Sequence, residues 1–228
     1  MLTPDEAAAV ALSLKVATLA TLASLPPAVA VGWLLARRRF PGRLLLDALV
    51  HLPLVLPPVV TGFVLLRVFG LRGVAGAWLH DTLGITFAFR WTGAALACAV
   101  MAFPLMVRAI RLSLEGVDVR LENAAATLGA SPLRAFADVT MPLAWPGIVA
   151  GAVLGFAKAV GEFGATITFV SSIPGETQTL SSAIYALLQV PGAESRVWAL
   201  CGVSVAISLL AMLAAEALLQ RQRREPAT

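Results

Sequence analysis

The sequence predicts an all-α polytopic membrane protein, and three observations predict it. Hydrophobic residues make up 59% of the 228 positions while charged ones make up 13%, and the mean hydropathy is +0.86. A soluble core of this size would need far more charge at its surface. Several apolar runs are long enough to cross a bilayer core of about 30 Å at about 1.5 Å per residue. The arginines cluster at the ends of those runs, so the formal charge of +4 reads as membrane topology and not as nucleic-acid binding.

In chain order, the first span is expected over 12–35, with Pro26 and Pro27 kinking it. Ala28-Val29-Ala30 has the look of a cleavage site. The opening MLTPDE is acidic, however, and Lys15 lies too far in for a charged n-region, so the segment is read as a retained span. The basic turn RRRFPGR at 37–43 follows. A second span over 44–69 is interrupted by Pro53, Pro57, Pro58 and Gly62, so its freed backbone groups must face protein or water. Residues 70–90 mix glycine with Trp78, His80, Asp81 and Thr82, which suits an exposed loop with a short interfacial helix. The third span covers 91–110, with Trp91 as interfacial anchor and Arg108 and Arg111 at its far end. A fourth covers 147–170 and a last 198–219, ahead of the basic residues 221–224. Between these two, 180–190 is short for a crossing and fits a re-entrant or interfacial helix, with a sixth crossing as the alternative.

The stretch 120–142, RLENAAATLGASPLRAFADVTMP, is amphipathic where the rest is apolar. Leu121, Ala124, Ala125 and Leu128 recur at helical spacing and Gly129 stands where a helix stops. Ser131-Pro132 reads as N-cap and first residue of a second helix carrying Leu133, Phe136 and Val139. Arg120, Glu122, Arg134 and Asp138 surround the apolar stripe. A helix-turn-helix of this kind suits docking into a groove on another protein; a solvated connector on the membrane surface is the plainer alternative.

The order Asn123-Ala124-Ala125, three residues, Gly129, nine residues, Val139-Thr140-Met141-Pro142 resembles the EAA motif of ABC importer permeases. Asn123 replaces the glutamate of the motif, Val139 its isoleucine and Met141 its leucine. HLPLVLPPVVTG at 51–62, FPLMVRAIR at 103–111, and GEFGATITFV at 161–170 with IPGETQT at 173–179 resemble the molybdate-specific branch of that family. The sulfate and thiosulfate permeases are similar.

The resemblance implies a type I ABC importer transmembrane domain of five to six helices in the bacterial inner membrane, formed by the whole chain 1–228. It implies a homodimer, two cytoplasmic ATPase subunits that bind ATP and Mg²⁺, and a periplasmic molybdate-binding protein. It also implies that Leu121, Glu122, Asn123, Ala124, Ala125, Leu128, Gly129, Leu133, Arg134, Phe136 and Pro142 form the ATPase-coupling segment.

Eleven arginines fall at 37–43, 108–134 and 221–224, against Arg67, Arg72, Arg90 and Arg196 elsewhere. That bias places the N-terminus outside, the C-terminus inside and the coupling segment in the cytoplasm.

For a tetrahedral dianion the pathway needs hydrogen-bond donors without deep charge traps. The helix breaks at Pro57, Pro58 and Gly62, with the hydroxyls of Thr61, Thr166 and Thr168, are the candidates. The plainer reading is a bent, packed helix whose threonines bond their own backbone. Lys158 and Glu162 can pair at i, i+4, which favours a structural or gate-closing role for Glu162, since a carboxylate repels an anion. Gly155, Gly161 and Gly164 would allow close helix contact at a subunit interface.

Cys98 and Cys201 lie in apolar runs and read as packing residues, with no metal pattern. His51 and His80 read as scaffolding. The chain has no G-x-x-x-x-G-K-[ST], so no P-loop, and no catalytic constellation. A secondary transporter driven by an ion gradient remains the competing class; it would call for repeats and more intramembrane acids.

Overall fold

The computed structural model describes residues 2–224, all of the regular structure among them helical. Helix α1 (Pro4–Arg37) opens on a capping box, in which Thr3 Oγ1 accepts from the Glu6 amide and Glu6 Oε2 accepts from the Thr3 amide. It runs on through Pro26 and Pro27 as one continuous helix. The carbonyls that two missing amides leave unpaired belong to Leu22 and Ala23, both exposed, and the helix holds by packing its opposite side.

Helices α2 (Arg43–Val55) and α3 (Pro58–Phe69) replace the expected second span. They are bent by 113° at Leu56 and Pro57, because neither Pro57 nor Pro58 can donate an amide across the junction. Helix α4 (Val74–Leu83) is the short helix expected in the 70–90 loop. Helix α5 (Trp91–Glu115) is the central rod, lying between α1 and α8 and the most buried of the long helices. Its Ser113 Oγ donates to the Ala144 carbonyl and its Cys98 Sγ to the Ala159 carbonyl, both on α8.

Helix α6 (Val119–Thr127) precedes a turn and α7 (Pro132–Ala135). From there a five-residue π-turn, Phe136–Thr140, leads without a break into α8 (Met141–Val160). The expected fourth span is therefore displaced. It begins some fifteen residues earlier, at Pro132, and stops at Val160, and α9 (Gly164–Val170) is a separate short helix. The helix holds through Pro142 and Pro146 because its packing on α5 and α1 outweighs the bonds those prolines cannot make, and it ends at Gly161, its C-cap.

Helix α10 (Leu180–Leu187) has eight residues, too short to cross a bilayer, and packs on α1 and α11 (Glu194–Arg224). Ser13 Oγ accepts from the buried Leu180 amide at 2.6 Å, and Arg196 pairs with Glu6 at 2.7 Å. Together these fasten the start of α11 and all of α10 to the first helix.

Among the described residues, four helices are long and apolar enough to cross a membrane: α1, α5, the Pro132–Val160 helix and Glu194–Ala217. The α2–α3 pair makes a fifth if its two halves count as one. Two apolar clusters stack along α5. One is centred on Met101, Phe169 and Val160, the other on Met106, Ile110, Leu114 and Leu35. The rest of the apolar surface, Leu209, Leu210, Met212 and Leu213 of α11 among it, faces outward, as a lipid-facing helix requires.

Candidate coupling and translocation sites

The candidate coupling segment is built by caps that the sequence already carries. Asp118 accepts from the Arg120 amide at 2.9 Å and starts α6. Gly129 takes φ +90°, and the Ala130 amide reaches back to the Ala125 carbonyl at 3.0 Å, which closes the helix. Ser131 Oγ accepts from the Arg134 amide at 3.4 Å and starts the next helix, with Pro132 in its first turn.

The turn projects an apolar tip. Leu128 is 90% exposed and Leu133 78%, and Leu121 stands beside them at 47%. Asn123, Ala124, Gly129 and Arg134 are exposed with them, Ala125 is half-buried, and Arg134 pairs loosely with Asp138 at 3.6 Å. Exposed leucines flanked by charge form the kind of surface that marks a protein contact.

Three expected members lie elsewhere. Phe136 turns inward and meets Trp33 of α1 edge to face, ring centroids 6.0 Å apart, because the apolar stripe of α7 continues into the core of α8. Glu122 also turns inward: its Oε1 accepts from Arg37 at 2.9 Å and from Thr140 Oγ1 at 2.7 Å. Pro142 is exposed on the continuous α8, away from the tip. Arg37 and Thr140 are contributors that sequence reading missed. Arg37 stands out in no way from the three basic residues after it, and only the fold brings α1 to α6.

The second site lies where α3 and α9 start. A Cβ added to Gly164 would come within 2.7 Å of Pro58 Cβ, and one added to Gly62 would meet the Ala165 carbonyl oxygen at 2.5 Å. First turn therefore faces first turn, and the two short helices run side by side with their positive ends together. The close approaches at Gly155, to Met106 Sδ, and at Gly164 both fall within the chain, and no neighbour is that close to Gly161.

Glu162 is 2% exposed and sits at this junction. Its Oε1 accepts from the Ala165 amide at 3.0 Å and its Oε2 from Lys158 Nζ at 2.6 Å. The carboxylate thus serves as the anion that the start of α9 would otherwise attract, and the lysine balances it. Thr166 Oγ1 donates to the Phe163 carbonyl at 2.8 Å and Thr168 Oγ1 to Gly164 at 2.9 Å, so both follow the plainer reading of the sequence. Thr61 differs: its hydroxyl is buried and has no partner. Beyond α9, Ser171 takes φ +63° and Thr177 Oγ1 receives the Ile173 amide at 2.9 Å, pinning the loop ahead of α10; neither was legible as a strained or tying position.

Lys15 rests over the Trp91 ring at 3.5 Å from its centroid. His51 Nδ1 lies 2.9 Å from the Asp47 carbonyl and His80 Nδ1 3.3 Å from Thr86 Oγ1, which suits scaffolding. Among the described residues no group of acids, histidines and cysteines could hold a metal ion.

Comparison with known proteins places this geometry. The chain is 59% identical over 216 residues to the molybdenum transport system permease protein ModB of Escherichia coli (strain K12), covering 95% of this chain and 94% of that one. It is 53% identical to the protein of the same name from Haemophilus influenzae, covering 96% of each. In fold it is similar to a chain of a bacterial alginate ABC transporter, solved with a periplasmic protein carrying an alginate pentasaccharide. The TM-score is 0.77 at 16% identity, over 99% of this chain and 82% of that one. Residues 28–224 match the family described as binding-protein-dependent transport system inner membrane component, and the chain belongs to that family.

Proposed function

We propose that this chain is the membrane-embedded subunit of an ATP-driven importer of molybdate and its near-isostere tungstate. Two copies would form the pathway, two cytoplasmic ATPase subunits would dock beneath, and a periplasmic binding protein would deliver the anion. The observation that carries the reading is the apolar tip Leu121, Leu128 and Leu133, held at the end of a helix that continues as the span α8. A push on such a tip moves a span as one body. Kinship with molybdenum permeases over nearly the whole length supports the choice of anion.

In this reading the N-terminus is periplasmic, the C-terminus cytoplasmic and the chain crosses five times, with α2–α3 as one broken crossing and α10 outside. ATP and Mg²⁺ bind the partner, since the chain carries no P-loop of its own. The tip engages the ATPase through Leu121, Asn123, Ala124, Ala125, Leu128, Gly129, Leu133 and Arg134. The pathway passes the junction of Pro57, Pro58, Thr61, Gly62, Glu162, Thr166 and Thr168. There the paired positive helix ends favour a passing dianion, while Glu162 keeps it from being held too tightly.

The test is uptake of radiolabelled molybdate into proteoliposomes that hold this chain, its ATPase and the binding protein. Uptake is expected only with ATP inside the compartment facing the ATPase. Uptake indifferent to ATP and abolished by ionophores would overturn the proposal in favour of a gradient-driven transporter; sulfate outcompeting molybdate would correct the substrate.

A further inference from the structure

Helix α6 has no buried residue. Among the described residues, Glu122 is the only side chain of α6 that bonds outside its own segment. Its Oε1 receives Arg37 at 2.9 Å, from the last turn of α1, and Thr140 Oγ1 at 2.7 Å, from the π-turn that begins α8. The same Arg37 nitrogen donates to the Val117 carbonyl at 2.9 Å, in the link between α5 and α6. One carboxylate oxygen thus ties the ends of two spans, α1 and α8, to the helix that carries the exposed tip, and Arg37 extends the tie to the link after α5. Thr140 reaches it because the π-turn inserts a residue and rotates that hydroxyl, fully buried, back towards α6.

We infer that Glu122, Arg37 and Thr140 form the transmission joint of the protein: positioning residues that convert displacement of the tip into displacement of α1 and α8, with no contact to the ATPase themselves. The inference rests on the coupling role proposed above. Two details favour a moving joint over a static tie. Arg37 Nε is buried without an acceptor, and Glu122 Oε2 makes no hydrogen bond among the described residues. A small shift of α6 towards α1 would bring these two together and turn a single-oxygen contact into a two-pronged guanidinium–carboxylate fork, a closer setting that lies ready. The pair is also shielded, Arg37 being 12% exposed and Glu122 26%, so solvent does not dissolve it as it would a surface pair.

The experiment compares Glu122→Gln with wild type in the assembled complex, reading three quantities: ATPase retained on purification, ATP hydrolysis, and anion taken up per ATP. Gln keeps the shape and loses the charge-assisted bonds. Assembly and hydrolysis are expected within about twofold of wild type while uptake per ATP falls about tenfold, the factor expected for losing such a bond. Unchanged uptake per ATP would overturn the inference. Release of the ATPase would overturn it too, since Glu122 would then be a docking contact. Should Glu122→Gln fail to accumulate, Thr140→Val, which keeps the ion pair and the packing, is judged by the same three readings. Wild type without ATP-dependent uptake would instead count against the functional reading.

Discussion

Gly62 packs directly on the backbone of Ala165, so close that a Cβ would sit 2.5 Å from the carbonyl oxygen and 2.9 Å from Thr168 Cβ. Backbone cannot yield as a side-chain tip can. Gly62→Ala is expected to push α3 from α9 and cost about 1–3 kcal/mol. The measurement is thermal unfolding in detergent; an unmoved midpoint would show that the two helices are less tightly joined than described.

Lys158 and Glu162 make a pair in which the acid is almost wholly buried and the base 29% exposed. Lys158→Met strands the carboxylate beside a single amide donor and is expected to cost about 3 kcal/mol. Adding Glu162→Gln should recover most of that loss. A double-mutant cycle on unfolding reads the difference, and simple additivity would mean that the pair carries no coupling.

Ser13 receives the buried Leu180 amide. Ser13→Ala leaves that donor without an acceptor at about 1–3 kcal/mol, and α10 is the element that should loosen. Protease cutting between 171 and 193 is expected to quicken while the remainder of the chain stays protected. Cutting at the wild-type rate would contradict this.

Leu128 contacts little within its own chain. Leu128→Arg is expected to leave stability within about 0.5 kcal/mol yet release the ATPase when the complex is purified from membranes. Undiminished co-purification would remove the tip from the docking surface.

The local fold of the 118–135 turn was legible because its signals are local. Asp118, Gly129, Ser131 and Pro132 act on amides and carbonyls within a few residues of themselves, and the apolar leucines repeat at the helical period. The i, i+4 pair of Lys158 and Glu162 was readable for the same cause. Local spacing misjudged Glu122 and Phe136: both sit on a helical stripe, yet it is Arg37 and Trp33, far back in the chain, that draw them inward.

By itself, then, the sequence determined that the chain is a helical membrane protein and where the caps of the 118–135 turn fall, since hydrophobic length and capping act along the chain. Only the tertiary structure decided that α2 and α3 bend by 113°, that the long helix ending at Val160 starts at Pro132, and that Arg37 and Thr140 share one oxygen of Glu122. Those outcomes depend on groups distant in sequence competing for the same buried space and the same hydrogen-bond acceptor, a competition settled only once the helices have met.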